Sequence, residues 1–459
     1  MDILPGMTDT VPLRALRSAL IAIAAVLTSF GVMYAICMQS GVNASPAILA
    51  AALSVGLMRR PEKLGPRALL AKFVMLPLIA LTAGFVGFTL LRLPALGAVL
   101  FSGGIALSIL LRKYGERGAA IGRVVALPLM SILVVPVRIE GVEGRLVPPL
   151  IVIAAGAIAM ASTAAVSWFA ARVGIAGEPE SPPIPLAQST TQTKMHIATR
   201  MALQMLTALG LAFAIGMGAF PKHWAWIVLT AFIVCSGAVG RGDAIHKGLL
   251  RLGGAIGGAF VAGLAAYIVF PNPTAYAVAV FFVLFIGIWL REINYAYWAA
   301  CATLIFALLQ GSHDAALMPL LGARVVCIVI GALCGVAATW FVYPIRTEQV
   351  VRRRVADALT ALRGVLAEGT DHGARLVVIE HHAAELKRVA PPVQLHRKVF
   401  GAKQPEQHPA TWIDLMHGLL AQVRKPDFDR AHVGAGMRKL GAMLKAPAAG
   451  STQKDAQSG

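Results

Sequence analysis

The sequence predicts an all-α polytopic membrane protein. About twelve transmembrane helices form two parallel six-helix repeats, and a small helical cytoplasmic C-terminal domain follows them. Three observations predict this class. Hydrophobic residues make up 57% of the chain and charged residues 14%, against roughly 25% charged in soluble domains, so the polar surface is too small to cover the chain in water. Apolar runs near the roughly 20 residues needed to cross a hydrocarbon core recur as far as residue 343. Basic residues gather in alternate connections.

In the first half the runs fall near 17–38, 44–58, 69–91, 95–111, 119–137 and 147–170. In the second they fall near 198–219, 223–239, 250–270, 274–290, 293–309 and 320–343. The run at 44–58 is short. No convincing small-residue cleavage site follows the first run, which therefore reads as a retained helix rather than a signal peptide.

A formal charge of +19 would suggest nucleic acid in a soluble protein, but here it follows the positive-inside bias. Arg14 and Arg17 precede the first run. Arg59, Arg60, Lys63 and Arg67 lie between the second and third, Arg112, Lys113 and Arg117 between the fourth and fifth, and Arg241 and Lys247 between the eighth and ninth. The intervening loops QSGVN, RIEGVEGR and PNP carry no net charge. This alternation places both termini in the cytoplasm of a bacterial inner membrane.

The segment GEPESPPIPLAQSTTQT, Gly177 to Thr193, breaks the apolar pattern and reads as a linker. The expected organisation is a first repeat at 10–172, a proline-rich cytoplasmic linker at 173–196 and a second repeat at 197–345. A helical cytoplasmic domain at 346–446 and a disordered tail at 447–459 complete it. Trp168-Phe169 near the end of the first repeat matches Trp340-Phe341 near the end of the second, Lys72 matches Arg251, and Arg60 matches Arg241. Six spans are an even number, so both repeats point the same way across the membrane.

Beyond Tyr343 the pattern changes to that of a water-soluble helix. Val351, Val355, Leu359, Leu362 and Leu366 form one stripe, and further helices are expected near 374–390, 409–424 and 429–445. Arg352, Arg353 and Arg354 suit either anionic headgroups or a solvated face.

The stretch RLGGAIGGAF, Arg251 to Phe260, has the glycines of a phosphate loop without a preceding strand or a GK[ST]. Gly253/Gly257 and Gly254/Gly258 are each four apart, a spacing that lets helix backbones approach, so these glycines read as a packing face. Arg251 is a cation within an apolar helix, placed for function or as an anchor that snorkels outward. Cys37, Cys235, Cys301, Cys327 and Cys334 lie in apolar segments without CxxC spacing and read as small buried hydrophobes. His381-His382 lacks metal-ligand spacing, and no metal or cofactor is expected.

His223-Trp224-Ala225-Trp226, Arg241, Arg251-Leu252-Gly253-Gly254, and Arg324 with Gly331 resemble the pattern of the fusaric acid resistance (FUSC) and aromatic acid exporter family. The resemblance covers about 10–345 and is most specific over 198–345. Where that family often carries an acidic residue and a threonine, this chain has Cys327 and Ile328. The soluble insertion common between the family's halves is reduced here to the linker. The resemblance implies efflux of aromatic or other organic acids, coupled to protons. The spans carry no nucleophile–base or metal constellation, so no enzymatic activity is expected.

Read beside it, the cations at or near the spans attract anions. Lys72, Arg123, Arg251 and Arg324 are the candidate substrate-binding cations. Trp224 and Trp226 are candidate stacking platforms, or else interfacial belt residues. Glu292 and then His223 are the candidate proton-coupling residues, with local neutralisation of Arg291 as the other reading of Glu292. The expected partners are a small organic anion and membrane lipids, with a second copy or a periplasmic adaptor as candidate protein partners and no nucleic acid. Two alternatives accompany this reading: a passive organic-anion channel, as in the related plant malate channels, and a membrane-anchored interaction protein acting through its tail.

Overall fold

The computed structural model describes residues 11–41, 44–58, 82, 85–134, 149–174, 196–238, 240–265, 273–309, 317–367, 372–401, 408–425 and 428–445. The third expected span falls largely outside the described residues; a helical stretch at 85–92 belongs to its end. Also outside them are Lys72, the proline-rich linker and the C-terminal tail.

Apolar sequence at this density folds as helix because every backbone polar group must be satisfied within its own segment when no water is available. The described helices are α1 (Val11–Ser40), α2 (Ser45–Leu57), α3 (Pro94–Leu110), α4 (Gly115–Val134), α5 (Pro149–Arg172), α6 (Ile197–Ala219), α7 (Trp224–Cys235), α8 (Arg241–Ala265), α9 (Pro273–Arg291), α10 (Tyr295–Leu309) and α11 (Leu317–Phe341). Then come α12 (Thr347–Ala367), α13 (His372–Phe400), α14 (Pro409–Val423) and α15 (Arg430–Lys445). Among the described residues there are no strands.

Among the described residues seven helices are long and apolar enough to cross a membrane: α1, α3, α5, α6, α8, α9 and α11. Helices α2, α7 and α10 are equally apolar but shorter, at 13, 12 and 15 residues. At 1.5 Å per residue they reach only about 18–23 Å, short of a core of about 30 Å. α4 carries Glu116, Arg117 and Arg123 and is not among the seven.

The described residues form two compact units. The first takes in those up to 174 together with 196–236 and 247–338. In it α6 and α7, and likewise α9 and α10, pack as antiparallel hairpins. Gly216 of α6 faces Trp224 of α7, with 3.0 Å between a built Cβ and the indole's Cβ, and Gly287 of α9 faces Cys301 of α10 at 2.9 Å. Helices an even number of places apart pack in parallel. Gly331 and Gly335 of α11 meet Thr230 and Val234 of α7 in the same order, and Gly254 and Gly258 of α8 meet Ala299 and Ala300 of α10.

The first unit also contains a reciprocal pairing. α1 packs on α9 and α3 packs on α6. At the first contact Phe30 meets Phe281 edge-on at 5.1 Å and 71°; at the second Phe213 meets Phe101 edge-on at 5.5 Å and 74°. In the repeat register read from the sequence, α1 corresponds to α6 and α9 to α3. On that expected register the two aromatic pairs fall on corresponding pairs of helices.

The second unit comprises 237–246 and the described residues from 339 onward. Its core is built by α12 to α15 and includes Val351, Val355, Leu359 and Leu362 of the predicted stripe, with Leu366 packed at its edge. α13 runs on to Phe400 rather than ending near 390, through Pro391 and Pro392. A proline pair inside a helix forfeits backbone hydrogen bonds at a cost of about 3 kcal/mol or more. Burial of Val389, Ala390 and Val393 on both sides of the pair offsets it. In the same unit Arg241 donates its backbone N–H to the Ile345 carbonyl at 3.1 Å. Gly242 donates to Thr347 Oγ1 at 2.9 Å, and the Arg241 guanidinium lies 4.9 Å from the centre of the Trp340 ring.

Candidate functional site

Two cations in the second membrane half are buried deep in the first unit. Arg251 lies ten residues into α8 and Arg324 seven into α11, about 15 Å and 10 Å along their axes. Each is 3% exposed. Arg251 Nε, Arg324 Nε and Arg324 Nη1 are buried without a hydrogen-bond partner. The charged neighbour acting on Arg324 is Arg251, and the Cys327 thiol is its other electrostatic contact.

The backbone explains how they meet. A Cβ on Gly331 would stand 2.8 Å from Thr230 Cβ and closer still to the Ile227 carbonyl oxygen. Only a bare backbone at this position lets α11 lie so close to α7. Gly331 is seven residues beyond Arg324, two turns along one face, so the same approach sets Arg324 beside the first turn of α7. There its guanidinium lies 5.0 Å from the centre of the Trp226 ring. The Phe306 ring of α10 flanks it at 4.3 Å.

α8 is placed by an analogous device. Gly254 faces Ala296 and Ala299 of α10, and Gly258 faces Ala300. Gly253 and Gly257, expected in the same packing face, have nothing within 4 Å of a built Cβ. On a helix the two pairs lie one residue, about 100°, apart, so one close neighbour engages one pair.

Energetically the pair is unusual. Burying one unpaired ion costs several kcal/mol after relaxation. A desolvated cation–π contact returns up to about 2 kcal/mol. A guanidinium does not relieve the cost by losing its proton. The rings soften the environment of Arg324 but do not neutralise it, and Arg251 adds like charge.

The remaining expected residues fall in different places. Trp226 also carries His223 stacked on it at 4.7 Å and 11°. Trp224 packs on Phe213 at 5.5 Å and sits against Gly216. Both indoles are thus already engaged by protein groups. Glu292 lies at the end of α9, its side chain 54% exposed and 3.4 Å from Arg291. With Arg291 it lines a small crevice shared with Ala15, Ser18, Val55 and Met58. Arg123 belongs to α4 with its side chain outside the described ones, and Lys72 lies outside the described residues.

Phe306 was not singled out by the sequence reading, where a lone aromatic in an apolar helix looks like core. The usable signal is the shortness of α7 and α10. Short hydrophobic segments mark binding regions in repeat-built transporters. Here they supply the two rings, while the long helices α8 and α11 supply the cations.

In the second unit, His408 caps α14 by accepting the Ala410 N–H at Nδ1, and its Nε2 lies 3.4 Å from His396 Nδ1. Burial, then His396 and Arg397, push its imidazole below the usual histidine range, opposed by Asp414. Burial likewise lowers His382 and His417. Among the described residues no three His, Cys, Asp or Glu side chains are grouped to hold a metal ion.

Residues 206–338 match the sequence model of a family described as fusaric acid resistance protein-like. The matched segment contains Trp224, Trp226, Arg251, Phe306, Arg324 and Gly331, and so holds the whole arginine–aromatic site. It is the region where the sequence resemblance was most specific. No curated protein and no solved structure gives a significant match to the chain. The family match and the apolar helices together support a multi-pass membrane transporter.

Proposed function

Taking residues 206–338 as a fusaric acid resistance protein-like segment, we propose that this protein exports aromatic or other organic acids across a bacterial inner membrane. The Arg251–Arg324 pair holds the substrate carboxylate. The observation that carries this reading is the burial of two neighbouring guanidinium groups with unpartnered nitrogens. A carboxylate supplies what they lack: negative charge and acceptor lone pairs in the planar geometry a guanidinium matches.

The wider layout belongs to the same proposal. The helices form about twelve spans in two parallel repeats with both termini cytoplasmic. The corresponding pairs Phe30–Phe281 and Phe213–Phe101 support this two-fold relation. The bundle of α12 to α15 is cytoplasmic, and a second copy or a periplasmic adaptor completes the assembly.

Of the two candidate coupling residues, His223 is the one linked to the arginine pair, through Trp226. Glu292 is matched locally to Arg291. A second reading, passive anion flow, is favoured by one specific feature: no carboxylate is among the groups acting on Arg324 among the described residues. A monoanion leaving a cell gains about 2.3 kcal/mol per 100 mV from the membrane potential without any proton.

The test is flux of an aromatic carboxylate in proteoliposomes, with and without a proton gradient, for wild type and Arg251→Ala. Gradient-driven accumulation lost in the variant supports the coupled exporter. Flux that follows only the substrate gradient and the voltage supports the channel. No flux of any organic anion sinks both.

A further inference from the structure

The end of α13 is weakly rooted in the C-terminal bundle. Pro391 and Pro392 have no backbone N–H, so the carbonyls of Lys387 and Arg388 lose their helical partners and the helix is weakest there. Val393 is buried, but none of the residues 394–400 is, and Val399 and Phe400 are 62% and 74% exposed. The ties from this end to α14 include Arg397 to Asp414 at 2.7 Å and His396 Nδ1 to His408 Nε2 at 3.4 Å. The ion pair lies open to water on both sides, which screens it, so the histidine pair matters more.

The tautomers of that pair follow from the helix cap. The Ala410 N–H donates to His408 Nδ1 at 3.2 Å, so Nδ1 carries a lone pair and the neutral ring holds its proton on Nε2. That N–H faces His396 Nδ1, which is therefore the acceptor. A proton added to His408 goes to Nδ1 and displaces the Ala410 N–H. A proton added to His396 goes to its Nδ1 and sets N–H against N–H. Either event breaks a link and gathers positive charge at the N-terminus of α14, where the helix dipole disfavours it.

The surrounding charges are mixed. Burial, then His396 and Arg397 of α13, hold the His408 ring below the usual histidine range, while Asp414 of α14 opposes them. From α12, Arg352 lies 5.4 Å from the centre of the Trp412 ring and adds positive charge one turn further along α14.

We infer that His396 and His408 form an acid-operated latch: neutral, the pair fastens the end of α13 to α14, and protonated, it frees residues 393–400 to move about the proline pair. Once open, the histidines bind protons at the usual value of about 6.5, so the latch closes above that value and opens below it. The freed segment begins beside Pro392, whose Cβ lies 3.5 Å from a Cβ built on Gly242, in the first turn of α8. α8 is the helix that carries Arg251. The consequence for export rests on the transport reading with a cytoplasmic bundle. An organic acid that crosses a membrane in its neutral form releases its proton inside. Acid on the bundle's side thus reports the load to be exported, and opening the latch there speeds export.

Hydrogen exchange on full-length protein in nanodiscs tests the latch, with protection corrected for the intrinsic rate at each pH. Between pH 7 and pH 5 one histidine freed by opening contributes up to about 25-fold, and two up to about 600-fold. Opening of 393–400 and of the first turn of α14 should rise well above about 25-fold in wild type. In His396→Asn and in His408→Asn, which keep a hydrogen-bonding amide, the rise should not exceed about 25-fold. Amides around Leu440 of α15 should stay protected, which separates local release from unfolding of the bundle. A wild-type rise of about 25-fold or less, one unchanged by His396→Asn, or loss of protection around Leu440 in step with 393–400 overturns the latch.

Benzoate flux in proteoliposomes, corrected for leak through protein-free liposomes, reads the consequence. Acid on the bundle's side should speed flux several-fold more in wild type than in the His396→Asn/His408→Asn double variant. Equal responses overturn the tie to export, while exchange still decides the latch. No flux from either protein overturns the transport reading instead.

Discussion

Gly331 is where α11 approaches α7 most closely, and replacing it with alanine tests how the arginine site is positioned. The new Cβ would stand 2.8 Å from Thr230 Cβ and 3.2 Å from the Ala231 backbone nitrogen, whereas ordinary contact begins near 3.4 Å. Ala231 N and the Ile227 carbonyl are backbone atoms of a helix and cannot swing aside. The two helices must therefore separate by more than half an ångström. Overpacking of this kind costs about 1–3 kcal/mol.

The same displacement carries Arg324 away from Trp226, from 5.0 Å toward the limit of about 6 Å beyond which a cation–π contact fades. Gly253→Ala is the internal control: it introduces the same methyl group into the middle of a neighbouring helix where nothing lies within 4 Å. It should be neutral, or stabilising by up to about 1 kcal/mol from helix propensity. Thermal unfolding in nanodiscs, read beside benzoate flux, separates the two. Gly331→Ala should lower both stability and flux while Gly253→Ala changes neither adversely. Equal tolerance of both substitutions would refute the claim that close approach at Gly331 places the site.

Three further outcomes are expected. Arg324→Ala should reduce organic-anion flux at least about tenfold, equivalent to roughly 1.4 kcal/mol, with Arg324→Lys intermediate; unchanged flux would remove Arg324 from the pathway. Double-mutant cycles on Phe30–Phe281 and Phe101–Phe213 should each give a coupling of about 0.5–1.5 kcal/mol, and coupling in one pair alone would argue against their equivalence.

In the C-terminal bundle, His408 has a folded-state value below its unfolded one, so the unfolded chain binds the proton more readily. Its contribution to stability is full above the usual histidine value of about 6.5 and is lost as pH falls from there through the folded value. Protection of the Ala410 amide against hydrogen exchange, relative to its intrinsic rate at each pH, should fall on acidification, and less so in His408→Asn, which keeps a capping oxygen without the titration.

Much of this architecture is legible in the chain because membrane constraints act locally. A helix in lipid satisfies its own backbone, so apolar runs translate directly into helices. The stripe Val351, Val355, Leu359, Leu362 lies in a core for the same reason, since periodicity alone decides which face is apolar. The family resemblance was also legible, through the tryptophans, Arg251, Arg324 and Gly331, and it falls where the family match does.

Pairing across the chain was not legible. Sequence placed four glycines of α8 on a packing face, but contact with α10 uses Gly254 and Gly258, because which side of a helix meets a neighbour depends on a partner some forty residues away. It did not single out Phe306, since an aromatic in an apolar helix looks alike whether it meets lipid, core or a cation. It left Glu292 between proton coupling and local neutralisation of Arg291, and only the folded chain sets the two side chains 3.4 Å apart with Glu292 exposed.

By itself, then, the sequence determined the class of the protein, most helix positions and which residues carry charge into apolar segments, all properties set within a few turns of one helix. The tertiary structure decided that Arg251 and Arg324 are both buried in the first unit and that the Arg324 guanidinium lies against the rings of Trp226 and Phe306. That decision belongs to long-range packing, where close approach at Gly331 and Gly254 brings together side chains from four separate helices.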